Sequence, residues 1–263
     1  MMRPQFWKVL VIAAILPLGC VARSNTNGER SSTDVAALLS AAHVDIASIV
    51  QERGTGSLVG MSRGSGGVIG RMDDRVLIVT AKHVIRDRIR PADATVQEHR
   101  LFVMFEQRGE LMRARVEASS DRGDIAVISC EPPTGIDIRP LPLATRLPER
   151  GDIAYIVGSP GHARGLISHG LVAGICGETM SCSACVDEGC YILDRPLYPG
   201  NSGGVIANTD GELIGVAVQV SFFRFRGLTV DPYLSIFVGI ELLEPLLAEI
   251  DDDQPLSHTG PER

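Results

Sequence analysis

Residues 199–204 read Pro199-Gly200-Asn201-Ser202-Gly203-Gly204, a lone hydroxyl among turn-forming residues, with runs of strand character on either side. A serine hydroxyl is a weak nucleophile unless a base takes its proton and nearby N–H groups stabilise the oxyanion that forms. Small residues around Ser202 permit a tight turn with inward-facing N–H groups, and Gly200 and Ser202 are the donors such a turn offers. Glycine clusters also mark ordinary hairpins. The segment alone leaves a catalytic turn and an inert one both open.

Two further segments supply what such a serine needs. In Val79-Thr80-Ala81-Lys82-His83-Val84-Ile85 a histidine directly follows a β-rich run. The chain has six histidines: His43, His83, His99, His162, His169 and His258. Only His83 closes a predicted strand before polar residues resume, where a side chain is held rigidly and still reaches a cleft. An imidazole, titrating near neutrality, is the base an activated serine requires. In Ser120-Asp121-Arg122-Gly123-Asp124-Ile125-Ala126-Val127, Asp124 stands immediately before an apolar strand. Its carboxylate can turn inward and accept the other ring N–H, fixing the tautomer and stabilising the imidazolium. Asp121 is the competing carboxylate and reads as a solvated loop residue.

Composition narrows the class around these segments. The 263 residues carry 25 basic and 32 acidic side chains, for a net charge of −7, with 44% apolar and 22% charged residues. That balance excludes a disordered chain, a collagen-like repeat and a multi-span membrane protein. The acidic surplus argues against a nucleic-acid partner, because phosphate affinity needs a basic surface. With 28 glycines, 15 prolines and 5% aromatics, the chain suits many short strands joined by turns. Strand-length runs are Val44–Ile49, Val76–Thr80, Leu101–Phe105, Ile125–Ile128, Ile153–Val157, Leu171–Ile175, Val205–Ile206 and Leu213–Val220. Asn208-Thr209-Asp210-Gly211 between the last two is a hairpin signal. Helical patterning is confined to Ala36–Ala42 and Leu242–Ile250. In the latter, Leu242, Leu243, Leu246, Leu247 and Ile250 share a face and Pro245 sits near the start. The expectation is an all-β chain with a short C-terminal helix. A proline-rich connection, 132–149, divides a unit at 45–131 from one at 150–250.

The ends read differently. Arg3 and Lys8 precede an uncharged apolar run, Val9 to Leu18, of signal-peptide rather than membrane-spanning length. Residues 1–22 are therefore expected to be an export signal, giving a secreted, periplasmic or membrane-anchored product. Leu18-Gly19-Cys20 resembles the end of a lipobox, which would make Cys20 a lipid anchor, although Pro17 stands where leucine is usual. Cleavage after Ala22 and an uncleaved N-terminal anchor are the rivals. Residues 23–44 are expected to form a polar linker and 251–263 a disordered acidic tail.

Together the three segments resemble the trypsin-like serine peptidases, most closely the bacterial HtrA/Deg type. Gly64-Ser65-Gly66-Gly67-Val68-Ile69 leading into Thr80-Ala81-Lys82-His83-Val84 matches the first signature. Gly123–Val127 matches the aspartate strand, and Pro199–Gly204 the nucleophile loop. Val157–Gly161, Ser168–Val172 and Gly211–Val216 lend weaker matches. Asp124 follows His83 by 41 residues and Ser202 follows Asp124 by 78, in the family's His, Asp, Ser order. The resemblance implies two packed antiparallel β-barrels with the triad His83, Asp124 and Ser202 between them. It also implies an oxyanion hole from Gly200 and Ser202, hydrolysis of protein or peptide substrates, and no cofactor or metal. The sequence departs from the family at Val205, where proline is usual. It also shows no segment resembling the PDZ domain that many HtrA-type proteases use to capture substrates. A protease-fold binding module with little activity is the alternative.

By the same resemblance, the specificity pocket falls to Leu193–Tyr198 and Val216–Ser221, with Asp194, Pro196, Leu197 and Val218 as its candidates. Asp194 either selects Lys or Arg at a pocket base or pairs with Arg195 at the surface; a small or medium aliphatic preference is expected. Cys176, Cys182, Cys185 and Cys190 crowd into a cysteine-rich insertion, 176–190. Two disulfides or a four-thiolate zinc site both fit the spacing. The oxidising environment of an exported chain favours disulfides. Cys130 ends an apolar strand and is expected to be a buried free thiol.

Overall fold

Apolar faces along the strands close the chain into two six-stranded antiparallel barrels, which leave no open sheet edge. The computed structural model describes residues 30–85, 97–106, 108–161, 163–178, 189–225 and 228–252. The first barrel comprises β1 (His43–Glu52), β2 (Leu58–Met72), β3 (Arg75–Thr80), β4 (Gln97–Phe105), β5 (Leu111–Ser119) and β6 (Ala126–Cys130). Its strands are ordered β1-β2-β3-β6-β5-β4. The second comprises β7 (Ile153–Gly158), β8 (Leu166–Ile175), β9 (Cys190–Leu193), β10 (Val205–Ala207), β11 (Leu213–Phe225) and β12 (Leu228–Gly239). Its order is β10-β11-β12-β9-β8-β7. The expected all-β, two-barrel architecture is therefore what the chain adopts.

Core residues fill both barrels, with Ile46, Ile78, Phe105 and Ile128 in the first and Ile156, Leu193, Ile206 and Phe237 in the second all nearly inaccessible. Glycine lets the barrels approach. A Cβ on Gly67 of β2 would collide with the Val205 side chain of β10 in the other barrel. The 132–149 segment is irregular and touches both halves. Leu141 is buried and its N–H donates to Val68 of β2 at 2.9 Å, while the Pro142 carbonyl accepts from Leu213 of β11 at 2.7 Å.

Three α-helices and a 3₁₀ turn complete the fold of the described residues. α1 (Ser32–Ala42) begins inside the segment expected to be a polar linker. Ser31 and Asp34 form a capping box that satisfies the first N–H groups. Val35, Leu39 and Ala42, spaced along one stripe, are buried. Together the box and the stripe order residues 32–42. α2 (Lys82–Ile85) is a single turn after β3. α3 (Glu244–Asp252) follows a 3₁₀ turn at Ile240–Leu242 and buries Leu246 and Ile250. Helix α3 thus takes in two residues that the acidic-tail expectation assigned to disorder. The expected export signal, Cys20 and the rest of the tail lie outside the described residues.

Candidate functional site

His83 lies on α2 just after β3, and Asp124 lies two residues before β6, the neighbour of β3 in the sheet. The carboxylate meets the histidine twice. Asp124 Oδ2 lies 2.5 Å from His83 Nδ1, and Asp124 Oδ1 accepts the His83 backbone N–H at 2.8 Å. A carboxylate acceptor places the ring proton on Nδ1 and leaves the Nε2 lone pair free to take a proton. The loop that presents Asp124 is shaped locally. Ser120 Oγ accepts the N–H groups of Arg122 and Gly123 at 3.1 and 3.2 Å, and the Ser120 carbonyl accepts Lys82 Nζ at 2.5 Å. Asp121, the rival carboxylate, points into solvent and pairs with Lys82 at 3.0 Å.

Ser202 sits in the turn before β10, beside this couple. A Cβ on Gly64 of β2 would lie 2.7 Å from the Val84 methyls and 2.8 Å from the Ser202 carbonyl, so the turn and α2 meet over that glycine. Among the described residues no hydrogen bond joins Ser202 Oγ to His83. In unliganded enzymes such bonds are often long and tighten on substrate binding.

The N–H groups of the turn fall into two sets. Those of Asn201, Gly203 and Gly204 donate to Tyr198, Ala217 and Asn201 carbonyls at 2.9, 2.7 and 2.8 Å. Those of Gly200 and Ser202 have no partner among the described residues. The peptide planes that carry these two free donors are anchored from behind. The Pro199 carbonyl accepts from Gly161 at 3.1 Å and the Asn201 carbonyl from Gly204 at 2.8 Å. In a trans peptide the N–H points opposite to the C=O, so both donors are directed away from these anchors. Gly200 and Gly203 adopt φ of +104° and +83°, a left-handed backbone that glycine tolerates. A turn with two such donors and a hydroxyl, meeting the helix of a carboxylate-bonded imidazole at Gly64, is an arrangement that can carry out acyl transfer.

Four polar residues behind the turn carry no signal that singled them out in the sequence. Ser65 of β2, read there only as part of a glycine-rich run, donates its hydroxyl to the Gly200 carbonyl at 2.7 Å and accepts the Ser159 N–H at 3.0 Å. The Ser159 hydroxyl, in turn, bonds Asp45 Oδ1 and lies 3.3 Å from His43 Nε2. All four side chains are buried. His43 and Asp45 belong to β1 and Ser159 follows β7, so this cluster spans the two barrels. Burial pushes the His43 pKa down, and the Asp45 carboxylate opposes that only in part.

The expected pocket residues separate. Asp194 is exposed and its Oδ1 accepts the Leu171 N–H at 2.5 Å, so its carboxylate is engaged at the surface of β8. Leu197 and Val218 are buried, and the Leu197 N–H donates to Ser235 Oγ at 2.8 Å. Pro196 is partly buried. Cys176 and Cys190 face each other where β8 and β9 diverge, the Cys176 N–H donating to the Cys190 carbonyl at 2.9 Å. Cys182 and Cys185 lie outside the described residues. Cys130 is a free, fully buried thiol.

Paired six-stranded barrels, joined at a histidine–aspartate couple and a serine turn, define the double-barrel class of peptidase folds. The chain belongs to the trypsin-like peptidase domain family, whose pattern residues 64–216, more than half of its length, match. It is 29% identical over 145 residues to the serine endoprotease DegS of Escherichia coli strain K12, covering 55% of this chain and 37% of that protein. It is 27% identical over 161 residues to the putative serine protease HhoA of Synechocystis, covering 60% and 37%. To the mouse serine protease HTRA3 it is 26% identical over 213 residues, covering 74% and 44%. The chain thus spans less than half the length of these relatives.

Proposed function

We propose that the protein is an exported serine endopeptidase. Ser202 Oγ attacks the scissile carbonyl and its proton passes to His83 Nε2. The oxyanion rests on the N–H groups of Gly200 and Ser202. Collapse of the tetrahedral intermediate returns the proton to the leaving amine and leaves an acyl group on Ser202, which water removes by the same route. Asp124 holds the imidazole in the productive tautomer throughout. The observation that carries this reading is the pair of hydrogen bonds that Asp124 accepts from the ring and backbone of His83. The substrates are proteins or peptides. An aliphatic preference is supported by buried Leu197 and Val218 and by the engagement of Asp194 with Leu171. Export rests on the basic start and apolar run of residues 1–18, with Cys20 as the lipid-anchor candidate. Among the described residues no helix is long and apolar enough to cross a membrane.

Two disulfides staple the 176–190 insertion in this proposal. Support comes from the disulfide-bonded sulfurs of Cys176 and Cys190 and from their position at the facing ends of β8 and β9. A non-reduced mass four hydrogens below the reduced mass, with no zinc by elemental analysis, is the expected result. One stoichiometric zinc with four free thiols contradicts it.

The activity is tested by incubating purified protein with an unfolded protein substrate such as reduced casein. Cleavage by the wild type and none by Ser202→Ala supports the peptidase; equal cleavage by both, or none by either, refutes it.

A further inference from the structure

We infer that Ser65 is a positioning residue for the oxyanion turn, an assignment that rests on the peptidase reading above. Every polar group of Ser65 is committed. Its N–H donates to the Ser202 carbonyl at 2.8 Å and its carbonyl accepts the Thr80 hydroxyl at 2.7 Å. Its own hydroxyl has one proton to give, and gives it to the Gly200 carbonyl at 2.7 Å while accepting the Ser159 N–H at 3.0 Å. Ser65 therefore holds the carbonyls of both residues whose N–H groups form the candidate oxyanion site. It does so from the other barrel, across 135 residues of chain.

The position matters because of Gly200. A glycine at φ +104° has no Cβ to bias its peptide planes, so their orientation depends on the bonds they make. The plane between Gly200 and Asn201 has two, Asn201 N–H to Tyr198 at 2.9 Å and Gly200 C=O to Ser65. Among the described residues, the second is the one that ties this plane to the barrel carrying His83. Ser65 is fully buried, so its hydroxyl is shielded from bulk solvent. A dipole that is fixed before reaction is what makes such donors effective. Loss of the Ser65 hydroxyl leaves the turn in place but frees the Gly200–Asn201 plane, which lies between the two planes that carry the Gly200 and Ser202 N–H groups and sets their relative angle.

The test is the kinetics of Ser65→Ala, with kcat expressed per active site titrated. A fall in kcat of about 10- to 100-fold is expected, below the 10²–10³ seen when an oxyanion donor is deleted outright, with KM within about twofold. Affinity for a peptide aldehyde, whose oxygen occupies the oxyanion position, should fall in parallel, while affinity for the corresponding product peptide stays unchanged. Ser65→Cys, nearly the same shape with a weak donor, should lie between wild type and Ser65→Ala, and it serves if the alanine variant does not fold. Wild-type kcat per titrated site in either variant, or equal losses of aldehyde and product-peptide affinity, overturns the assignment. An inactive wild-type protein instead refutes the peptidase reading itself.

Discussion

Asp124 holds His83 at two points, the ring Nδ1 at 2.5 Å and the backbone N–H at 2.8 Å, so one carboxylate fixes both the rotamer and the tautomer of the imidazole. An asparagine there can still accept the backbone N–H through its carbonyl oxygen. Its amide then donates to Nδ1, which moves the ring proton to Nε2, the atom that must act as base. Asp124→Asn is expected to lower kcat by about 10³- to 10⁴-fold with little change in thermal midpoint. Steady-state kinetics beside a melting curve checks this. Asp121→Asn should leave kcat unaltered, because that carboxylate meets only Lys82 in solvent. Full activity in Asp124→Asn would return Asp121 to contention.

The turn tolerates no side chain at Gly203. A Cβ there would collide with the Ser65 carbonyl and the Thr80 hydroxyl, at a φ of +83°. Both the strained backbone and the overpacking cost on the order of 1–3 kcal/mol. Gly203→Ala should therefore shift the urea midpoint down by an amount matching at least 2 kcal/mol, on the order of the two costs together. An unchanged midpoint would show that the loop stands clear of β2 and β3.

His43 makes stability depend on pH. Its side chain is fully buried, with Nε2 near Ser159 Oγ and Asp45 Oδ1 and with Nδ1 meeting no partner among the described residues; Arg164 lies 3.6 Å from the other Asp45 oxygen. Burial lowers its pKa below the ordinary value near 6.5. As pH falls through about 6.5 the unfolded chain takes up a proton that the folded chain refuses. The unfolded state then binds more protons, and stability drops with pH until the lower folded pKa is reached. Its contribution is fully present above about pH 6.5. Urea unfolding at pH 7.5 and 5.5 should show a smaller loss in His43→Phe than in wild type; identical losses would exclude His43 as the source.

Cys130 should be chemically silent. It is fully buried on β6, and burial pushes its thiol up to about 12. The thiolate is the reactive form. Native protein is expected to leave Cys130 unmodified by a disulfide reagent at pH 8, with one thiol reacting on unfolding. Rapid native labelling mapped to Cys130 would contradict its burial.

Much of this was legible in the residues because the chemistry is local to short segments. His83 at a strand end, Asp124 before an apolar run and Ser202 among glycines each announce themselves without reference to the others. Strands β5 and β12 do not. In β5, Arg113, Arg115 and Glu117 alternate with small inward residues, Ala114 and Ala118, so no apolar run marks it. Asp231 and Pro232 interrupt β12. α1 was half hidden because its cap, Ser31 with Asp34, lies within a polar stretch that looks unstructured. Ser65 was invisible as a working residue, since its partners are a carbonyl and an N–H brought to it by the second barrel.

The central claim is that Ser202 is a nucleophile activated by His83. It is tested most directly by treating the purified protein with a biotinylated fluorophosphonate and mapping the adduct by peptide mass spectrometry. One equivalent bound to Ser202, lost in Ser202→Ala and slowed by orders of magnitude in His83→Ala, is the predicted result. Absence of labelling in the wild type, or labelling that persists in Ser202→Ala, would contradict it.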